Sequence, residues 1–332
     1  MEKVKADIEA ALKHSKIEKY SNIRYEVKNS NDVEKDKLKS LIVQGSLDEY
    51  HTIVEIDFDK IPVKPSRKSR MNKKLGLEKE PEIFDCKEEG PRIKIYNSPI
   101  YLYGEYIKLS RNMTQTPLRV DGSLKTKDSV SDFTTEFQKF FQSGPVKFMA
   151  SGREDLDVRC LKGRPFILEV TAPAVNLVSA TIELHLHHDI DIINMSYVKK
   201  EAKKIVNCES PTKLYNLLIF SKERMIFRDR YDLKQSTPLR VLHRRANMVR
   251  DKVIEVLRTE ELCESEGYYY DVDIRTSSGT YVKEWVNGDF GRTIPNLNAD
   301  LLELDVLRVE LTMKDSYVLK NVEIKRLDNS RY

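Results

Sequence analysis

Ser151-Gly-Arg-Glu-Asp-Leu-Asp-Val-Arg159 follows a short apolar run, Val146 to Met149, and sets three carboxylates between two arginines behind a glycine that permits a sharp turn. Such a loop can display a charged nucleophile. A neighbouring guanidinium favours the carboxylate form, and a carboxylate can attack carbon or accept a proton. On composition alone a salt-bridged surface turn explains the stretch as simply, so its meaning depends on the segments around it.

On either side of the loop the chain offers strand patterns: Val146 to Met149, Phe166 to Val170, Leu214 to Phe220, Tyr268 to Arg275 and Leu304 to Leu311. Helical patterns are interspersed, and Met248 to Leu257 reads as either helix or strand. Long irregular connections without βαβ alternation predict an α+β domain with a mixed, largely antiparallel sheet. Phe133, Phe137, Phe140 and Phe141 follow helical spacing, with Ser129 or Ser131 as N-cap and Gly144-Pro145 as a stop, so this helix should cover the sheet.

The N-terminal region is different. Val4, Ile8 and Leu12 predict an amphipathic helix, and Thr52 to Phe58 and Arg92 to Tyr96 alternate as half-buried strands. They predict a small α+β module over residues 1–104, with a second domain over 105–332. Between the two strands lies a polar run with Lys64, Arg67, Lys68, Arg70, Lys73 and Lys74, which reads equally as a solvated linker or as an arm that contacts phosphates.

At 332 residues, with 40% hydrophobic and 33% charged residues and only 12 glycines and 12 prolines, the chain has a globular composition with room for two domains. A net charge of +4 leaves any polyanion site to local clustering. Cys86, Cys160, Cys208 and Cys263 lie far apart without a CxxC pair, so neither a zinc site nor a disulfide framework is expected. No apolar stretch approaches the roughly 20 residues of a membrane span, and the charged N-terminus lacks a signal-peptide core. These features predict a cytoplasmic protein, or a nuclear one in a eukaryote.

Five further segments carry chemistry-bearing residues. In Lys213-Leu-Tyr-Asn-Leu-Leu-Ile-Phe220, Lys213 and Tyr215 share a strand face, where the tyrosine either stacks on a base or fills the core. Ser277-Ser-Gly-Thr-Tyr-Val-Lys-Glu-Trp285 turns into Tyr281 and Lys283, and Asn287 to Thr293 offers two glycines and an arginine for a phosphate or a plain turn. Thr237 to Arg245 brings three arginines and His243, suited to RNA phosphates or to an ordinary basic surface. Leu184 to Asp189 looks like a metal site, with His185, His187 and Asp189 on one side, yet too few ligands accompany it for metal binding to be expected.

The order of these segments resembles the THUMP-containing tRNA pseudouridine 54/55 synthases of archaea and eukaryotes, the Pus-ten family. The resemblance covers roughly residues 98–312. It is carried by Ser98 to Tyr101 with Gly104, Tyr106 and Ser110-Arg111, by Gln115-Thr-Pro117 with Asp121-Gly122, and by the Ser151 to Arg159 loop with Gly163-Arg-Pro-Phe166. Lys213-Leu-Tyr215, Thr237 to Arg245, Gly279 to Thr293 and Leu302-Glu-Leu-Asp305 complete it.

The resemblance implies the pseudouridine synthase fold, a THUMP-like accessory module, tRNA as partner, and isomerisation of T-arm uridine 55, or 54 as well, without metal or redox cofactor. The superfamily's Arg-x-Asp element is matched by Arg153-Glu-Asp155, making Asp155 the expected nucleophile and Asp157 the runner-up. Tyr215 would stack on the base, Tyr281 close the pocket, Lys283 pair with Asp155, and Arg153 and Leu304 border the substrate. Arg244, Arg245 and the basic run 64–74 would contact RNA, and the enzyme would act as a monomer. The paired CxxC motifs of longer relatives are absent, and Cys160 to Phe166 reads as a shortened hairpin. Two alternatives stand beside this expectation: a tRNA-binding folding factor with little catalysis, and a hydrolase built on His185, His187 and Asp189.

Overall fold

The computed structural model describes residues 23–28, 52–57, 82–85, 92–174, 179–208 and 210–327, with helical residues Ala6, Ala10 and Ala11 besides. The predicted helix positions Val4, Ile8 and Leu12 and the basic run 64–74 lie outside the described residues.

Four N-terminal strands, β1 (Ile23–Lys28), β2 (Thr52–Asp57), β3 (Glu82–Asp85) and β4 (Arg92–Asn97), form one sheet in the order β1-β2-β4-β3. The alternation of apolar residues places Val54 opposite Ile95 and Ile56 opposite Ile93, all buried, so that cross-strand pairs supply the packing. The predicted division at 104/105 would cut β5 (Ile100–Lys108), whose whole length pairs within a second, larger sheet. A strand cannot change sheets in mid-run without losing its ladder, so the change of sheet falls before Ile100.

The larger sheet has eleven strands. In chain order after β5 and the small hairpin of β6 (Arg119–Val120) and β7 (Ser123–Leu124) come β8 (Lys147–Ala150), β9 (Arg159–Val170), β10 (Thr181–Leu184) and β11 (Ile190–Val198). Then follow β12 (Lys213–Ser221), β13 (Arg230–Ser236), β14 (Val249–Glu264), β15 (Tyr268–Thr276), β16 (Thr293–Ile294), β17 (Asp300–Val309), β18 (Val318–Asn321) and β19 (Glu323–Arg326). Across the sheet the order is β16-β13-β14-β15-β12-β17-β9-β5-β11-β18, with β8 on β9, while β10 and β19 pair with each other in a separate two-stranded parallel sheet. Its pairings are antiparallel except β17 with β9. This is the expected α+β architecture with a largely antiparallel sheet. No helix of the described residues is long and apolar enough to cross a membrane.

Three local expectations change. The ambiguous Met248 to Leu257 is strand β14, paired on both sides, in keeping with its β-branched Val249, Val253, Ile254 and Val256. The last large strand begins at Asp300 and ends at Val309, ahead of the predicted Leu304 to Leu311. Cys160 to Phe166 makes no hairpin: it is part of one strand, β9, with Gly163 at φ +96° absorbing the irregularity beside Glu105.

The phenylalanine-rich segment is a 3-10 turn, Val130–Phe133, running into the helix Thr134–Phe140. Asp132 fixes its start by accepting hydrogen bonds from the Ser129 backbone N–H and hydroxyl, each at 2.7 Å. Phe133, Phe137 and Phe141 are buried, and the Phe133 ring lies 5.2 Å from Phe166 and 5.6 Å from Phe148. Tyr106 closes this aromatic cluster against Phe148 and Phe166.

Gly104 on β5 is where the cluster comes closest to the backbone. A Cβ there would stand 2.8 Å from Phe166 Cζ and 3.0 Å from Met195 Sδ, and Phe166 is hemmed in by three other rings. Gly104→Val should therefore lower stability by about 1–3 kcal/mol, read as the urea unfolding midpoint. An unchanged midpoint would show that the cluster yields.

Candidate active site

The 151–158 loop joins antiparallel β8 and β9, and its conformation is held from beneath by side chains of β5 and β9. Arg164, 1% exposed, donates from Nη1 to the Ser151 carbonyl at 2.9 Å, and its Nε lies 2.9 Å from Glu154 Oε2. The Tyr106 hydroxyl donates to the same Glu154 oxygen at 2.7 Å. Gln115 Nε2 reaches the Gly152 carbonyl at 2.9 Å and the Tyr106 oxygen at 2.8 Å. The buried Lys108 ammonium donates to the carbonyls of Met113, Leu156 and Asp155 at 2.8, 3.1 and 3.3 Å. Burial pulls the Lys108 pKa down, with Glu154 opposing it. Arg111 completes the set by donating to the Asp157 carbonyl at 3.0 Å while its guanidinium pairs with Asp305 at 2.9 Å.

With the backbone so fixed, adjacent carboxylates face opposite ways. Glu154 points into the protein, and Asp155 points out, with 41% of its side chain exposed. Asp155 Oδ2 stands 3.3 Å from Lys283 Nζ and 3.3 Å from Arg240 Nη1. Lys283 sits closer still to Asp157, at 2.8 and 3.0 Å, so the lysine expected to pair with Asp155 bridges both carboxylates. Burial works against the Asp157 carboxylate, but the Lys283 hydrogen bond and charge outweigh it and hold its pKa below the ordinary value. Arg240 is itself anchored, its Nε 2.6 Å from Oε1 of the buried Glu284.

Tyr215, on β12 between Ile274 and Val306, lines the same cavity, as do Tyr281, Leu304, Arg153, Arg244 and Arg245. Burial raises the Tyr215 hydroxyl to about 12, with Arg164's charge opposing it, so Tyr215 is an uncharged ring at neutral pH. Tyr281 precedes the helix Val282–Asn287 and is clamped through its backbone, its N–H donating to Gln235 Oε1 and its carbonyl accepting from Gln235 Nε2, both at 3.0 Å. Arg153 is exposed on the rim.

Asn287 to Thr293, read as a phosphate approach or a plain turn, is a prop for the neighbouring loop. Asp289 Oδ2 accepts from the Leu239 N–H at 3.1 Å, and Arg292 donates to the Thr237 carbonyl at 2.8 Å and to Asn247 Oδ1 at 2.8 Å. The 237–247 segment is thereby held over the cavity, and that is what carries Arg240 to Asp155. Nothing in the sequence distinguishes Arg240 from Arg244 and Arg245; only the fold does.

The cavity has a volume of about 820 Å³ and is lined by ten lysines and arginines against three carboxylates, Glu154, Asp155 and Asp157. It is a cationic basin with a carboxylate at its floor. The histidine run behaves differently from its spacing: β10 ends at Leu184, so period-two alternation does not extend through it. His187, His188 and Asp189 gather their ligand atoms within 4.8 Å, and His185 is not among them.

The buried ion pair beneath the loop sets its stability. Arg164→Met would leave Glu154 buried without its counter-ion, and it should cost about 3–5 kcal/mol in chemical denaturation. A melting temperature within a degree of wild type would mean that the pair does not hold the loop.

Known proteins similar to this chain share one name. A tRNA pseudouridine synthase Pus10 from Xenopus laevis is 38% identical over 244 residues, covering 66% of this chain and 47% of the relative. The human protein of the same name is 36% identical over 260 residues, covering 69% and 49%, and that of the archaeon Thermofilum pendens is 29% identical over 253 residues, covering 66% and 54%. The chain spans about half the length of these curated relatives. A solved Cbf5-Nop10-Gar1 complex aligns with 67% of this chain and 52% of its own, at 14% identity and a TM-score of 0.32. The family model described as "Pus10, C-terminal" matches residues 101–311, which span β5 to β17 and every wall of the cavity, and the protein belongs to that family.

Proposed function

We propose that the protein is a tRNA pseudouridine synthase that isomerises a T-arm uridine, at position 55 or at 54 as well, with Asp155 as its nucleophile. The observation that carries the reading is the convergence on one cationic cavity of an outward-facing carboxylate, two cations 3.3 Å from it, two tyrosines and Leu304.

The chemistry follows from these parts. A uridine inside a folded tRNA arm is stacked, so it must be extruded to reach the cavity floor. Tyr215 offers the uracil a neutral aromatic face, Tyr281 faces it from the neighbouring wall, and Leu304 supplies an apolar side. The N1–C1′ bond breaks, the uracil turns while the pocket retains it, C1′ bonds to C5, and the C5 proton is exchanged for one on N1. Asp155 starts this by attack at C1′, by addition to C6, or by removing a sugar proton. In each case Lys283 and Arg240 orient its carboxylate through ion pairs.

The ring of cations suits the phosphates on either side of the extruded base, and Arg244 and Arg245 are exposed at its edge. RNA docking by the N-terminal sheet as a THUMP-like module, and by the basic run 64–74, belongs to the same proposal, as do action as a monomer and independence of metal. A binding factor with little catalysis has no use for Asp155 facing the cavity with two aligned cations, which favours the enzyme.

Incubating an unmodified tRNA with the full chain and mapping pseudouridine by carbodiimide chemistry tests the reading. Asp155→Asn should reduce product by about a thousandfold or more, whereas Asp157→Asn should retain most of it. Undiminished product from the Asp155 variant would remove it as nucleophile, and product outside the T-arm would overturn the substrate. Charge removal at Arg244 and Arg245 should weaken tRNA binding and flatten its salt dependence by roughly one unit of slope for each phosphate no longer neutralised.

A further inference from the structure

Among the cations around the cavity floor, those nearest the carboxylates are already engaged. Arg164 is taken by Glu154, Lys283 by Asp155 and Asp157, and Arg240 by Glu284 and Asp155. Lys252 donates to the Ser278 carbonyl at 2.6 Å. Lys213 is partly buried at the start of β12, two residues before Tyr215 and on the same strand face, and its ammonium has no ion-pair or hydrogen-bond partner among the described residues.

Its position is set by the loop it touches. Gly152 sits at φ +76°, and a Cβ there would come within 3.3 Å of both Lys213 Nζ and Arg164 Nη1. The absence of that carbon lets two cationic groups approach the same spot at Gly152, on the cavity that Asp155 also lines. Burial, and then the charges of Arg164 and Lys252, lower the Lys213 pKa to about 8 against the opposing pull of Glu154. A positive group in that position is short of negative charge, because the carboxylate that pulls on it, Glu154, is already paired with Arg164.

We infer that Lys213 is a substrate-binding residue whose ammonium takes a phosphodiester oxygen next to the extruded nucleotide. The inference rests on the pseudouridine synthase reading for the identity of its ligand. It accounts for the geometry: a lysine one strand step from the stacking tyrosine meets the backbone of the same nucleotide whose base that tyrosine holds. An approaching phosphate supplies the missing charge, so a cost borne by the free enzyme is released when RNA is seated.

The test uses the full chain with tRNAs assembled by ligation, each carrying a single uncharged methylphosphonate 5′ or 3′ of the target uridine. Equilibrium binding and single-turnover product formation are measured together, with thermal melting. Lys213→Met should melt at or above the wild-type temperature, because an unmatched buried cation has gone. It should bind unmodified tRNA about tenfold more weakly, and Lys213→Arg should recover most of that loss. For one of the two linkages, the methylphosphonate should cost wild type about tenfold and cost Lys213→Met nothing further. Equal sensitivity of wild type and Lys213→Met at both linkages, or a lowered melting temperature with unchanged RNA affinity, overturns the inference. Failure of wild type to form pseudouridine in any tRNA would instead refute the functional reading, and the binding arm would still decide whether Lys213 meets a phosphodiester.

Discussion

Arg164 and Glu154 face each other where solvent reaches almost nothing of either side chain, 1% and 0%, and this ion pair is the constraint from which the cavity is built. Removing two charges from water costs several kcal/mol per ion, which their attraction offsets only with further hydrogen bonds. Those bonds are present: Tyr106 to Glu154, Gln115 to Tyr106 and Gly152, and Arg164 to Ser151. Each polar group bonded to the pair also fixes a point of the loop, so one set of contacts both supports Glu154 Oε2, though not its Oε1, and holds the backbone that carries Asp155.

The rest follows by parity. A loop whose Glu154 must point inward presents Asp155 outward, and Lys108, Arg111 and Arg164 hold its carbonyls so that the direction cannot drift. The opposite wall is fixed separately. Gln235 clamps the backbone of Tyr281, Asp289 and Arg292 hold the 237–247 segment, and Glu284 aims Arg240. Asp155 therefore meets two cations delivered by elements that are remote in sequence. Ion pairs at such an exposed group contribute little to stability, and their value here lies in orientation.

The excess of cations over carboxylates has a physical cost in the free protein, since like charges gathered in a partly desolvated basin repel one another. Such an arrangement fits a polyanion that arrives from outside. Lys213, next to Tyr215 and with its ammonium unmatched, shows the cost most plainly. The chain spans about half the length of the curated relatives it matches, and its matched region holds the whole cavity.

Much was legible in the sequence. Alternating apolar residues gave the strands, phenylalanines at helical spacing gave the helix over the sheet, and Arg153-Glu-Asp155, Tyr215, Tyr281, Lys283 and Leu304 were all placed on the one cavity. Period determines the strands and the helix, because it depends on neighbours a few residues away, whereas the site residues were named by the resemblance that the ordered segments carry. Only the tertiary structure decided that Glu154 is a buried counter-ion while its neighbour faces the cavity, that Lys283 serves Asp157 as well as Asp155, and that Arg240 rather than Arg244 or Arg245 reaches the carboxylate. Cys160 to Phe166 became a continuous strand, and His185 left the histidine cluster, for the same reason. Burial and long-range pairing are set by which strands become neighbours in the sheet, and the separation of Asp155 from Arg240 and Lys283 along the chain leaves no local trace of that.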